Sequence, residues 1–388
     1  MNRCIYMDNA ATTPVDPKVR EELLPYFSEE YGNPSGLYSK GKDAKDAVER
    51  ARAQVATAIN ANPLEIVFTS GGTESDNLAI TGLYRSYGGV KKHIITTAIE
   101  HHAVLHTVQS LQSEGPDVTF LPVDNNGVVS IDEVRAAIRE DTLLVSCMFA
   151  NNEMGALQPI LEIGGECKKR GVLFHTDAVQ AVGSEVIDVQ AMNIDALSLS
   201  AHKLYGPKGI GALYLRSGLK VQPIIHGGGQ ERNQRSGTLN VSGIVGLGKA
   251  IELCYDNFDE HNYRIRSIRD ALIEKIERIV PDAKLTGPRK ARLPGNASFT
   301  IEGLEGEALL IRLDMHGICA SSGSACTVES EEPSHVLKAM GISDSIAWGA
   351  LRLTVGRFNS MDEVDYVVDV LQRNVESIQS RHPRFSRR

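Results

Sequence analysis

Strand-like and helix-like segments alternate through the first two thirds of the chain, and this alternation constrains the fold more than any other feature. Residues 42–59 place small apolar side chains at helical spacing between charges. Strands that alternate with helices predict an α/β architecture with a mostly parallel sheet. The predicted strands are the apolar runs 66–69, 94–98, 119–123, 143–149, 172–175, 196–200 and 212–215.

Polar clusters follow four of these strands, namely 94–98, 143–149, 172–175 and 196–200. Open parallel sheets bind their ligands outside the carboxyl ends of their strands. We therefore expect the functional residues at those ends.

The pattern changes after about residue 260. A charged helix at 262–279 is followed by a strand at 297–301, a helix at 305–316 and a final helix near 362–377. This order predicts a second, smaller α+β domain.

The composition excludes several classes of function. The 388 residues carry 41 Lys and Arg against 49 Asp and Glu, a formal net charge of −8, and an acidic balance argues against nonspecific nucleic-acid binding. No apolar run reaches the roughly 18 residues that a membrane span needs, and the N-terminus does not resemble a secretory signal. The six cysteines form no CxxC pair and do not suggest a disulfide framework. We expect a cytoplasmic protein that binds neither nucleic acid nor a membrane.

The strongest local motif is a strand that ends in a lysine and a glycine-rich turn. It contains Ser200, His202 and Lys203. A lysine at a strand end inside an α/β core must reach solvent or react, and a Schiff base with an aldehyde is one such reaction. Taken alone, Lys203 is more simply interpreted as a surface lysine. Two further motifs favour the Schiff-base lysine over the surface lysine.

The first of these motifs is an acidic residue, Asp177, at the end of the strand before Lys203. Pyridoxal phosphate needs an aspartate against its ring nitrogen, because a protonated nitrogen makes the ring an electron sink. Asp177 fits this role, and Gln180 could donate to the phenolic oxygen of that cofactor. A helix N-cap is the alternative role for Asp177.

The second motif is a glycine turn that contains Gly72 and Thr73 and leads from a strand into a helix. Backbone N–H groups at such a helix start can bind phosphate, and Ser200 and His202 supply further donors. A plain glycine turn is the alternative. A dinucleotide-binding fold is disfavoured, because neither GxGxxG nor GxxxxGK[ST] occurs.

Three further residues are candidates for contacts with cofactor or substrate. His101 follows a predicted strand and could stack on a cofactor ring, whereas the other histidines lack the spacing of metal ligands, so no metal site is predicted. Cys326 lies in a loop of small residues and is expected to be an exposed, reactive thiol, while Cys319 is expected to be structural. Arg352 lies on a predicted strand, where it would clamp a substrate carboxylate or form an internal ion pair.

In this order the motifs resemble the pyridoxal-phosphate cysteine desulfurases of the nitrogen-fixation and iron–sulfur-assembly type, which have the class V aminotransferase fold. The resemblance covers essentially the whole chain. It implies fold type I, with a large domain of residues 14–258 around a mostly parallel seven-stranded sheet. Residues 1–13 and 259–388 would form a smaller α+β domain that carries the cysteine loop. The matching segments are 8–13, 32–35, 69–77, 100–101, 151–155, 235–238 and 321–327, together with the segments around Asp177 and Lys203.

The resemblance also implies a role for each site residue. Lys203 would form the Schiff base, His101 would stack on the cofactor ring, and Cys326 would be the nucleophile that accepts sulfur. Arg352 and Asn152 would bind the substrate. The other cofactor contacts would be Asp177, Gln180 and Asn152 at the ring, and Gly72, Thr73, Ser200, His202 and Thr238 at the phosphate, with Thr238 coming from the other subunit of a homodimer.

The implied reaction converts L-cysteine to L-alanine and leaves a persulfide on Cys326, from which an acceptor protein takes sulfur for iron–sulfur clusters or other thio-cofactors. That acceptor would be a cluster scaffold or a sulfur carrier. The alternative is a selenocysteine lyase or a desulfurase dedicated to one pathway, because one pocket accepts either chalcogen. A plain class V aminotransferase would have no use for an exposed Cys326. A catalytically silent scaffold is also disfavoured, because Lys203, Asp177 and His101 occur together.

Overall fold

A seven-stranded sheet forms the centre of the first two thirds of the chain in the computed structural model, which describes residues 4–280, 282–323 and 332–380. Strands β2 to β8 form this sheet, and the other strands among the described residues belong to two smaller sheets. In chain order the strands are β1 (Ile5–Tyr6), β2 (Ile66–Thr69), β3 (His93–Thr97), β4 (Asp117–Leu121), β5 (Thr142–Ser146), β6 (Leu173–Asp177), β7 (Ala196–Ser200), β8 (Gly211–Leu215), β9 (Ala283–Leu285), β10 (Asn296–Ile301), β11 (Ile318–Cys319) and β12 (Ala350–Thr354).

Helices flank this sheet and form much of the C-terminal third. They are α1 (Pro17–Leu23), α2 (Pro25–Ser28), α3 (Ser39–Ala58), α4 (Gly72–Tyr87), α5 (His102–Gln112), α6 (Ile131–Ala137), α7 (Ile160–Arg170), α8 (Val241–Tyr255), α9 (Phe258–Ile279), α10 (Gly306–Met315), α11 (His335–Ala339), α12 (Asp344–Ala347) and α13 (Asp362–Gln379), with short 3-10 turns at Pro63–Glu65, Ala201–Lys203 and Glu231–Asn233. Among the described residues, no helix is long and apolar enough to cross a bilayer.

The order of the seven strands is β2-β8-β7-β6-β5-β3-β4. Only β8 runs antiparallel to its neighbours β2 and β7, and the remaining pairs are parallel. The segment 201–210 that joins β7 to β8 is too short for a crossover connection, which explains the reversal of β8. Each of the seven strands predicted from the sequence overlaps one strand of this sheet, so the prediction of a mostly parallel α/β sheet is confirmed.

Apolar side chains cover both faces of the sheet. Strands β3, β5 and β7 are buried along their whole length, whereas β4 at the edge is partly exposed. Burial on both faces explains why the apolar residues of β3 and β5 are consecutive in the sequence instead of alternating with polar ones. Strand β7 differs, because Ser198 in its middle is also buried.

A second core lies in the C-terminal third. Strands β9, β10 and β12 form an antiparallel sheet in the order β12-β10-β9, packed against α9, α10 and α13. The predicted helices at 262–279, 305–316 and 362–377 correspond to these three helices. Ile5 and Met7 from the N-terminal arm belong to the same apolar cluster as Phe299 and Leu353. The boundaries at residues 14 and 258 stay a prediction.

The N-terminal arm connects both cores. Strand β1 pairs with β11, and the Asn9 side chain donates to the Thr354 carbonyl at 2.7 Å. Further along the arm, the Thr13 N–H donates to the His202 carbonyl at 2.9 Å. The arm therefore runs directly past Lys203, at the junction of the two cores.

A buried ion pair holds the strained turn that follows Gln230. Glu231, Arg232 and Asn233 all have positive φ, at 44°, 56° and 63°, a conformation that costs energy in residues other than glycine. Arg52 on α3 donates to both carboxylate oxygens of Glu231, at 2.8 and 2.7 Å, and the Phe68 N–H donates to the same carboxylate at 2.9 Å. These bonds fix the turn to α3 and β2.

Replacing Glu231 with Gln is expected to lower the free energy of unfolding by about 3–5 kcal/mol, because the buried Arg52 charge loses its partner. Urea unfolding followed by circular dichroism measures the change. Glu49→Gln is the matched control, since Glu49 also contacts Arg52, at 3.2 Å, but its side chain is 51% exposed. The control variant should lose less than about 1 kcal/mol. Equal losses in the two variants would contradict this role of Glu231.

Candidate active site

A cavity of about 230 Å³ lies at the carboxyl ends of β6 and β7. Its walls come from the N-terminal arm, from the starts of α4 and α5, and from β12. Thr238 is exposed and does not line this cavity, and Cys326 lies outside the described residues. The predicted site residues that do line it are Gly72, Thr73, His101, Asn152, Asp177, Gln180, Ser200, His202, Lys203 and Arg352.

Lys203 ends the short 3-10 turn that follows β7. Its Nζ atom donates to the carbonyl oxygens of Ala10 at 2.6 Å and Ala11 at 2.7 Å. The arm thus holds the lysine at the cavity wall through neutral main-chain acceptors. Because these carbonyls are neutral, the amine can move away from them without leaving an unpaired charge behind on the protein.

Asp177 is the last residue of β6, and its side chain is buried. Burial raises the pKa of this carboxyl to about 6, although the hydrogen bond from the Val179 N–H and the charge of Lys203 act in the opposite direction. The Val179 N–H donates to Oδ1 at 2.9 Å. Among the described residues, no helix directly follows Asp177, so the alternative role as a helix N-cap is wrong: the bond from Val179 closes a turn, and the carboxyl lines the cavity.

A second carboxyl, Asp76, lines the cavity and was not predicted from the sequence. It is fully buried in α4, and its Oδ1 atom has no hydrogen-bond partner among the described residues. Burial and the nearby charge of Asp177 raise its pKa well above the usual value. Both effects favour the protonated form of Asp76. Asp76 lies four residues after Gly72, which places both residues on the same face of α4. This spacing is the sequence pattern that could have identified Asp76 as a residue of the cavity.

The start of α4 forms one end of the cavity. A Cβ atom at Gly72 would lie only 2.7 Å from Cγ2 of Val179, so the close approach requires glycine. Thr73 follows it in the first helical turn, and Ser200 lies opposite at the end of β7. Hydroxyls and unpaired N–H groups at a helix start are the donors that a phosphate group requires. The residues present fit such a group.

His202 and His101 both contribute neutral imidazoles. Burial, followed by the charge of Lys203, lowers the pKa of each to about 4. The His202 Nδ1 atom lies 3.1 Å from the Thr12 hydroxyl. His101 is the N-cap of α5, and its Nδ1 atom accepts a hydrogen bond from the Ala103 N–H at 3.1 Å. The ring proton of His101 is therefore on Nε2.

Arg352 on β12 forms the internal ion pair that was one of the two roles allowed by the sequence, and its role as a clamp for a substrate carboxylate stays a prediction. It is buried, and its Nη2 atom donates to the Asp8 carboxylate at 2.9 Å, which is the internal ion pair. Nη1 donates to the Asn152 carbonyl at 3.1 Å, while Nε has no hydrogen-bond partner among the described residues. These two bonds use two of the five guanidinium N–H groups, so one N–H on each of Nη1 and Nη2 remains for an anionic ligand in the cavity.

Gln180 is engaged inside the protein. Its Nε2 atom donates to the Ala10 carbonyl at 2.9 Å, the same oxygen that accepts from Lys203. The side chain lines the cavity, and its second amide hydrogen is the one that could reach a cofactor oxygen.

The described residues on both sides of segment 324–331 lie beside this cavity. Ser321 and Arg352 exchange main-chain hydrogen bonds, and the Ser334 hydroxyl donates to the buried Glu153 carboxyl. The same carboxyl also packs against Gly323: a Cβ atom added to this glycine would lie 3.0 Å from Oε2 of Glu153. The residues on both sides of the segment that contains Cys326 are therefore anchored near Arg352.

The sequence of the chain matches the family model "Aminotransferase class-V" over residues 5–367. The chain therefore belongs to the class V aminotransferase family, as the resemblance of its motifs predicted. The fold agrees, because the mostly parallel seven-stranded sheet is that of fold type I pyridoxal-phosphate enzymes.

Individual relatives are more specific. The chain is 53% identical to a protein of Clostridium botulinum (strain Hall) named "Cysteine desulfurase IscS", over 99% of this chain and 97% of that protein. A solved structure described as a NifS-like protein matches with a TM-score of 0.91 and 38% identity, over 97% of this chain and all of the other. A second solved structure, described as SspA in complex with cysteine, has a TM-score of 0.80 and 38% identity, over 92% of this chain and all of the other.

Proposed function

We propose that this chain is a pyridoxal-phosphate-dependent cysteine desulfurase that converts L-cysteine to L-alanine and leaves the sulfur as a persulfide on Cys326. The observation that carries the proposal is the cavity in which Lys203, Asp177 and Arg352 meet. A relative that is 53% identical and named a cysteine desulfurase supports the activity. The structural relative that holds cysteine supports L-cysteine as the substrate.

The residues of the cavity fit pyridoxal 5′-phosphate. The start of α4, with Ser200 and His202, would hold its phosphate, and Asp177 would hold its ring nitrogen. When bound, this cofactor supplies an aldehyde and an electron-withdrawing ring, which together weaken the bonds at the substrate Cα. The neutral His101 ring adds no charge that would oppose a protonated ring nitrogen.

The side chains then divide the reaction into two steps. Lys203, once released from the Ala10 and Ala11 carbonyls, takes the Cα proton of the substrate. The Cys326 thiolate attacks the substrate sulfur, so that an S–S bond forms and the C–S bond breaks. The electron pair of the broken bond stays with the substrate Cβ, which takes up a proton and becomes the methyl group. Lys203 then returns the proton to Cα, which completes alanine.

In the Arg352→Gln variant, we expect the KM for L-cysteine to rise roughly 10- to 100-fold. The variant loses a charge-assisted hydrogen bond to the substrate carboxylate, and the loss of one such bond weakens binding by about this factor. Initial rates of alanine formation measure the KM. Asp8→Asn is the control, because it removes the ion-pair partner and keeps the guanidinium. The control should raise the KM much less. The same rise in both variants would mean that Arg352 acts through its internal ion pair and not on the substrate.

We also infer a homodimer, an acceptor protein and a cytoplasmic location. Thr238 is exposed and does not line the cavity of its own chain, which supports a contribution to the phosphate site of a partner subunit. The acceptor would be a cluster scaffold or a sulfur carrier that takes the persulfide sulfur. The cytoplasmic location rests on the sequence alone.

The proposal is tested with the purified protein loaded with pyridoxal phosphate. L-cysteine should yield alanine and, in the presence of a reducing thiol, an equal amount of sulfide. Formation of a 2-oxo acid from L-cysteine or L-alanine without sulfur release would contradict it in favour of a plain aminotransferase. A parallel assay with L-selenocysteine tests the alternative, which requires selenide release with little turnover of L-cysteine.

A further inference from the structure

We propose that Cys4 and Cys319 form a redox-active dithiol that closes to an intramolecular disulfide. Their Sγ atoms lie 3.7 Å apart, although 315 residues separate them in the sequence. The sequence analysis expected Cys319 to be a structural cysteine, and the structure shows it half-buried and in contact with a second thiol. The proposed desulfurase activity makes no use of either residue.

The backbone around the two thiols is held by the parallel pairing of β1 with β11. The Ile5 N–H donates to the Gly317 carbonyl at 2.7 Å, and the Met7 N–H donates to the Cys319 carbonyl at 2.9 Å. These bonds fix both strands on either side of the thiol pair. A disulfide needs about 2.05 Å between its sulfurs, so the two sulfurs must approach each other further, and we expect rotation of the exposed Cys4 side chain to bring them together.

The other cysteines among the described residues are poor candidates for the same reaction. Cys147, Cys167 and Cys254 are buried. Burial raises the pKa of the Cys167 thiol to about 12 and that of Cys254 to about 11, and thiols that are both buried and protonated are inert. Cys4, in contrast, is exposed, and Cys319 is half-buried.

The reaction is a pair of thiol–disulfide exchanges with a small-molecule disulfide as the oxidant. Cys4, the exposed thiol, attacks one sulfur of the oxidant, forms a mixed disulfide and releases one small thiol. Cys319 then attacks the Cys4 sulfur, forms the Cys4–Cys319 bond and releases the second small thiol. The two protein thiols lose two protons and two electrons, and the oxidant is reduced to two small thiols. Cys319 is the less exposed of the two protein thiols, which fits the second position in this order.

A disulfide between Cys4 and Cys319 would connect two segments of the chain that contact Arg352. Strand β11 leads into Ser321, which exchanges main-chain hydrogen bonds with Arg352, and β1 leads into Asp8, which binds the Arg352 side chain. The disulfide would therefore fasten together the two segments that approach this arginine. It would do so just before the chain enters the segment that contains Cys326.

The test treats the full-length, cofactor-loaded protein with oxidised glutathione and removes the excess. The protein is then denatured, alkylated and mapped by mass spectrometry without reduction. We expect Cys4 and Cys319 both to become resistant to alkylation, in addition to any glutathione that the reactive Cys326 takes up. Peptides containing Cys4 and Cys319 should be joined, with a mass lower by two hydrogen atoms than the sum of the separate peptides. Dithiothreitol should restore both thiols.

Single substitutions separate this bond from competing ones. Cys4→Ser and Cys319→Ser should each abolish the cross-linked peptide, whereas Cys254→Ser should retain it. Because Cys4 is exposed on the N-terminal arm, the Cys4→Ser variant should fold normally, so loss of the cross-linked peptide in this variant cannot be attributed to misfolding. The proposal is overturned if glutathione remains on Cys4 as a mixed disulfide, if Cys319 pairs with Cys326, or if Cys4 links two chains.

Discussion

In the Lys203→Ala variant, we expect L-cysteine turnover to fall by about 10⁴-fold, the upper end of what one positioned base contributes. The large effect has two sources. The variant loses the amine that would bind the cofactor covalently, and it loses the base for the substrate Cα proton. The cavity lining contains no second lysine that could replace it. Alanine formation under single-turnover conditions measures the loss, because it reports the chemical step separately from sulfur release.

Two further variants show whether the effect belongs to the amine. Lys203→Arg keeps a cation that can reach the Ala10 and Ala11 carbonyls, but a guanidinium does not give up its proton near neutral pH, so this variant should be as inactive as the alanine variant. Lys208→Ala removes an exposed lysine of the same motif and should turn over normally. A Lys203→Ala protein that binds the cofactor and keeps wild-type turnover would refute the proposed role.

The fold was predictable from the sequence where burial imposes a simple pattern. Strands β3 and β5 are buried on both faces, so each is a short apolar run with a polar end. The order of the strands was not predictable, because it depends on packing between segments far apart in the chain. The placement of β8 between β2 and β7 is one such case. Its antiparallel direction follows from the short connection after Lys203.

The site was predictable where one strand or turn delivers the functional residue. Lys203, Asp177 and Gly72 each stand at a strand end or helix start, and the structure brings them into one cavity. Asp76 was missed because it lies inside a helix, where only the four-residue spacing from Gly72 points to the cavity. No local pattern could reveal the contact between Cys4 and Cys319, because the pairing of β1 with β11 creates it.

The second large effect is expected for Cys326→Ala, which should lose sulfide release from L-cysteine and keep the bound cofactor. The thiolate is the only group in the proposal that attacks the substrate sulfur, and a methyl group cannot form the S–S bond. Cofactor binding should persist, because the predicted contacts to phosphate and ring come from α4, β6 and β7. Sulfide release with a reducing thiol measures the first effect, and the visible absorption of the bound cofactor measures the second.

Cys319→Ala is the matched control, seven residues earlier on β11, and it should release sulfide normally. A further comparison separates a lost nucleophile from a damaged cavity. In Cys326→Ala, addition of L-cysteine should still change the cofactor absorption, because Lys203 and Arg352 remain to bind the substrate. If that spectral change disappears together with sulfide release, the substitution has disturbed the contacts of Ser321 and Ser334, and the loss says nothing about sulfur chemistry. If sulfide release continues undiminished, Cys326 is not the nucleophile, and the acceptor of the substrate sulfur must be another thiol.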